Sequence, residues 1–149
     1  MYRFKLILIS FIVFIVFTSV SNGSVLSKYS VMSDKDIIYE IFTKSIIPQA
    51  IYIYQDDADD LAYDGVDWRD VAKFYSSCVL REVSANATRL DLEIIHFVWV
   101  ANRGRESRAS KKVIKSIGST QYTGAGDVVG GAEFDCVLEA IKYVDKMKT

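Results

Sequence analysis

Apolar positions along this chain fall into two regimes. From residue 6 to residue 17 they run with Ser10 as the single interruption, behind a head carrying Arg3 and Lys5 and ahead of small and polar residues through Asn22 and Gly23. Beyond residue 32 they recur three and four positions apart, the spacing that aligns side chains on one face of an α-helix. The first run is 12 residues long, whereas a helix crossing a bilayer needs roughly 20. Positive head, short apolar stretch and small-residue exit match an export signal over residues 1–23, with Ser21 and Gly23 before the cut. The alternative is an uncleaved anchor at residues 6–20, its remainder facing away from the cytoplasm.

The periodic region predicts an all-α domain of four or five helices over residues 24–149. Ser33-Asp34-Lys35-Asp36 has the form of a capping box, in which a hydroxyl and an acid three residues on satisfy the first free N–H groups. Ile37, Ile38, Ile41 and Phe42 then share a face, which Ile46 extends, and Pro48 is expected to end the helix. Ala50-Ile51-Tyr52-Ile53-Tyr54 is short enough to be a strand or a helical turn. Asp64-Gly65 reads as a turn. Asp67 opens a second helix with Trp68, Val71, Ala72, Tyr75, Cys78 and Val79 inward. Thr88-Arg89-Leu90-Asp91 repeats the capping signal ahead of Leu92, Ile94, Ile95, Val98, Trp99 and Ala101, expected to be the central helix. A shorter helix is expected from Ser107, with Val113, Ile114 and Ile117 inward and Gly118 as its stop. Residues 119–131 hold Gly124, Gly126, Gly130 and Gly131 and read as a loop. Phe134, Val137, Ile141 and Val144 then form an inward stripe on the last helix, with Cys136 beside it.

Composition narrows the function more than it names it. The 126 residues after the leader suffice for one domain with a hydrophobic core. The whole chain has 18 Lys and Arg against 19 Asp and Glu; without Arg3 and Lys5 the balance becomes 16 against 19, a net charge of −3. That sign, with export, argues against general nucleic-acid binding. Cys78 and Cys136 are the only cysteines, and in an oxidising compartment an even pair predicts a disulfide. No close cysteine pair and a single histidine leave metal and redox-dithiol sites without support.

Two charged stretches are the candidate partner surfaces: Asp56, Asp57, Asp59 and Asp60 on one side, Arg103, Arg105, Arg108, Lys111, Lys112 and Lys115 on the other. Calcium coordination by the aspartates is a weaker reading, because their spacing does not follow an EF-hand loop. His96 lies in the most apolar helix and reads as a core residue rather than a general base. Glu82, Asp91 and Glu93 are the carboxylates a glycosidase would need, but nothing in their order pairs them. The glycines do not form a phosphate loop, which needs a lysine followed by Ser or Thr. No catalytic residue, cofactor or metal is expected. Asn22-Gly23-Ser24 and Asn86-Ala87-Thr88 fit the N-glycosylation acceptor pattern, which has meaning only on a eukaryotic secretory route. The expectation is therefore a secreted or periplasmic domain that binds, inhibits or neutralises another exported protein. The alternatives are a hydrolase of lysozyme-like size and a carrier with an apolar cavity among the faces bearing Trp68, Trp99 and Phe134.

Overall fold

The computed structural model describes residues 26–101, 115 and 118–148. The leader therefore lies outside the described residues, as do Arg103, Arg105, Arg108, Lys111, Lys112 and the helix expected from Ser107. All regular structure among the described residues is helical. A 3₁₀ turn, Leu26–Val31, precedes helices α1 (Asp34–Ile41), α2 (Ile47–Asp56), α3 (Ala58–Tyr63), α4 (Trp68–Asn86), α5 (Arg89–Ile95) and α6 (Ser119–Met147).

Local sequence signals set most of the starts. Ser33 and Asp36 form the reciprocal capping box of α1, and Thr88 and Asp91 that of α5. Asp67 caps α4 by accepting from the Arg69 N–H at 2.9 Å. The turn between α3 and α4 closes through Gly65, whose φ of 76° suits a residue without a Cβ. There the Val66 N–H reaches back to the Leu61 carbonyl at 2.9 Å.

Pro48 does not end the first helix. A wide turn, Phe42–Ile46, closed by bonds five residues back, connects α1 to α2. Pro48 falls in the first turn after it, where a missing N–H and a fixed φ are tolerated. Residues 50–54 are accordingly helical, with Ala50 and Tyr54 inward. A second wide turn, His96–Ala101, follows α5.

The larger departure is α6. The glycine-bearing stretch expected as a loop is helical, part of one 29-residue element. Its inward line is Ala125, Val129, Ala132, Cys136, Ala140 and Val144, at intervals of three and four. The inward stripe expected from Phe134 is corrected: Phe134 is 60% exposed, Val137 and Ile141 are half-buried, and only Val144 is buried. Small side chains on the inward line let α6 lie close along α4 and α5, and the larger ones are turned outward or to the flank.

Cys78 of α4 and Cys136 of α6 are bonded, with S–S 2.08 Å and Cα–Cα 5.7 Å. Phe74 and Tyr143 stack beside that bond with ring centroids 4.4 Å apart. Arg81 reaches Glu139 at 3.2 Å on the same pair of helices. Gln49 of α2 donates to Glu133 of α6 at 3.1 Å, and Lys148 pairs with Asp64 at 2.9 Å. These contacts tie α2, α4 and the turn after α3 to α6, against which α5 also packs.

Candidate functional site

The inward positions of α2 and α3 are Ala50, Tyr54, half-buried Ala58 and Leu61. Tyr52 and Asp56 on α2, and Asp59 and Tyr63 on α3, are each one helical turn apart, and all four are exposed. Tyr52 is 78% and Tyr63 89% exposed, so both rings stand in solvent. Asp57 and Asp60 are exposed beside them. The Asp57 carboxyl is pushed above its ordinary range by partial burial, and the neighbouring Asp56 and Asp60 charges add to that. Four exposed acids thus surround the junction of α2 and α3, with an exposed tyrosine on each helix.

Two further acids of this region are engaged elsewhere. Asp64 pairs with Lys148, and Asp67 caps α4 while meeting the Arg69 guanidinium at 3.3 Å. Among the described residues no three of His, Cys, Asp or Glu converge as a metal site would require. The calcium reading gains nothing from this geometry. Of the basic candidate surface only Lys115 is described, as a half-buried helical residue, and the other five lie outside the described residues.

A second polar cluster runs from the buried Tyr29 and His96 out to the surface. His96 is 6% exposed. Its Nε2 is 2.7 Å from Glu40 Oε2, and its Nδ1 is 3.0 Å from the hydroxyl of Tyr29. A carboxylate can only accept, so Nε2 carries the proton; in the neutral ring Nδ1 then accepts from the Tyr29 hydroxyl. Lys44 also reaches Glu40, at 2.9 Å. The His96 bond, followed by that of Lys44, holds the Glu40 carboxyl below its ordinary range. Tyr29 is fully buried, and burial, with the Glu93 and Glu40 charges, pushes its phenol upward.

Arg89 completes the cluster. It donates to the carbonyls of Tyr29 at 2.7 Å and Met32 at 2.9 Å, and pairs with Glu93 and Asp34. It therefore satisfies acceptors left at the end of the 3₁₀ turn, as a cation at a helix C-terminus does. Both ring nitrogens of His96 are occupied by partners from other elements. The arrangement ties residues 29–32 to α1 and α5 and presents no open nucleophile. It deepens the core reading of His96.

Of the residues proposed to line a carrier cavity, Trp68 and Trp99 are half-buried against the core and Phe134 faces solvent. The carboxylates considered for hydrolysis are likewise committed. Asp91 closes the α5 capping box, Glu93 pairs with Arg89, and Glu82 with Arg81. Sequence reasoning missed Tyr29, Glu40 and Arg89, whose partners lie 55 to 67 residues away. It also missed Tyr52 and Tyr63, because the strand-or-helix ambiguity at residues 50–54 hid which side they take. No protein-family model matches the chain, and no curated protein or solved structure matches it either.

Proposed function

We propose that the chain is a small exported domain that binds, and thereby inhibits or neutralises, another exported protein through the acidic, tyrosine-bearing face of α2 and α3. The observation that carries this reading is the exposure of Tyr52 on α2 and Tyr63 on α3, either side of the exposed Asp56, Asp57, Asp59 and Asp60. Tyrosine supplies a large, stiff contact area with a polar tip, and it is enriched among the residues that dominate interface energetics. Aspartates around such anchors select a basic surface and accelerate encounter more than they add affinity. A domain stapled by Cys78–Cys136 presents that face with little conformational freedom left to lose on binding.

Capture of a partner from the native exported compartment, followed by titration of the purified pair, tests the reading. Tyr52→Ala and Tyr63→Ala are each expected to weaken binding by about 1 kcal/mol or more. Together, Asp56→Asn, Asp59→Asn and Asp60→Asn are expected to slow association and flatten its salt dependence. Unchanged affinity and rates in all three variants, with unchanged thermal melts, reject this face. Loss of capture only on charge reversal of Arg105, Arg108 and Lys112 would transfer the role to the basic stretch.

A further inference from the structure

Asn86 is the last residue of α4 and is exposed. Together with Ala87 and Thr88 it forms an N-x-Thr sequence, and two of the chain's three asparagines open such sequences. After Asn86 the backbone leaves the helix: Ala87 has φ −78° and ψ 131°, and Thr88 φ −73° and ψ 167°. The acceptor therefore sits where a helix stops and two extended residues follow, before Thr88 caps α5. The Asn86 side chain makes one bond, from Nδ2 to the Glu82 carbonyl at 2.9 Å.

We infer that Asn86 is an N-glycosylation site, taking an oligosaccharide from a lipid diphosphate donor during export. This rests on the export half of the proposed function. In the transfer, Asn86 Nδ2 forms a bond to the anomeric carbon of the first sugar. The bond from that carbon to the diphosphate oxygen breaks, the lipid diphosphate leaves with the electron pair, and one amide proton passes to base. The substituted amide keeps its other N–H, so the bond to Glu82 survives in the folded glycoprotein. Exposure at a helix end leaves room for a bulky, hydrated group.

Placement gives the sugar a consequence for binding. Helix α4 has 19 residues, which puts Asn86 about 27 Å from the end that follows α3. A glycan there covers the far end of the molecule and leaves the face of Tyr52 and Tyr63 open.

The test is secretion of the full chain from eukaryotic cells behind its own leader and, in parallel, residues 24–149 behind a leader known to export. Intact mass is read before and after a peptide N-glycosidase, and the modified residue is located by the conversion of Asn86 to aspartate. Both secreted products are expected to carry a glycan at Asn86. Asn86→Gln removes it, and Thr88→Ser, which keeps both hydroxyl and cap, retains it. Locating the sugar in the wild-type peptide answers the question even if a variant is not secreted. Secreted protein with unmodified Asn86 overturns the assignment. If only the chain behind the borrowed leader emerges and is glycosylated at Asn86, the native export reading fails and the site stands.

Discussion

The Tyr29 hydroxyl is one of the ties between a six-residue 3₁₀ turn and the body of the domain, and it meets the buried His96 ring. Tyr29→Phe keeps the ring and removes the donor, leaving His96 Nδ1 buried without that partner. A loss of about 1–2 kcal/mol is expected, read as a lower urea midpoint at unchanged slope; an unchanged midpoint would show that the bond contributes nothing net. Tyr54 and Tyr75, packed edge-on at 5.6 Å, share the burial that pushes their phenols upward, as does Tyr29. In the unfolded chain each ionises near pH 10, whereas the folded state holds its proton. Below about pH 10 the contribution of these three groups is fully present, and it is lost as pH rises toward the folded values. The slope reaches about 1.4 kcal/mol per pH unit for each tyrosine. Urea titrations at stepped alkaline pH should therefore show a steep fall that Tyr54→Phe and Tyr75→Phe make shallower. A fall of equal slope in those variants would place its cause elsewhere.

Helix α6 carries glycines at positions 124, 126, 130 and 131, yet it runs unbroken. A Cβ built at any of the four meets nothing within 4 Å, so no close approach demands them. Gly126→Ala and Gly130→Ala should each stabilise the domain by about 0.5–1 kcal/mol, through reduced backbone freedom in the unfolded chain. Gly118→Ala should destabilise it, since φ there is 89° and the new Cβ would stand 2.7 Å from Gln121 Oε1. Thermal melts of the three variants should move in those opposite directions. A fall in melting temperature at Gly126 or Gly130 would mean that the added methyl meets a neighbour or that the helix does not hold there. These glycines also show what was legible in the sequence. The boxes of Ser33 and Thr88 were readable because each involves groups three residues apart, and the disulfide because two cysteines allow one pairing. The helicity of residues 119–131 was not, because glycine disfavours a helix locally and only packing of Ala125 and Val129 on the core overrides that. Phe134 misled for the complementary reason: apolar size suggested the core, while the close seating of α6 admits Ala132 and Cys136 instead. The acids of the candidate site were readable from composition, but the tyrosines among them became visible only once Ala50 and Tyr54 fixed the inward side.

At the scale of the molecule, α4 and α6 are joined across 58 positions of sequence by one covalent bond. Closing a loop of that length removes about 4 kcal/mol of unfolded-state freedom on the chain-entropy account. Single domains as a class are stable by about 5–15 kcal/mol, so the bond supplies a large share of what holds a domain of this size folded. The other α4–α6 contacts cannot replace it. The Phe74–Tyr143 stack adds on the order of 1 kcal/mol beyond its buried area, and the Arg81–Glu139 pair is solvent-screened. Cys78→Ala with Cys136→Ala should therefore lower unfolding free energy by about 3–5 kcal/mol. Reductant should shift the wild-type urea midpoint to that of the double variant and leave the double variant where it was. An equal response in both would mean that reductant acts by another route, and no response in either would mean that the bond does not form. The expected outcome also explains how a face built on α2 and α3 can serve as a binding surface. Those helices lie against α4, and the staple fixes α4 to α6, so Tyr52 and Tyr63 are presented from a framework whose largest long-range constraint survives only in an oxidising compartment.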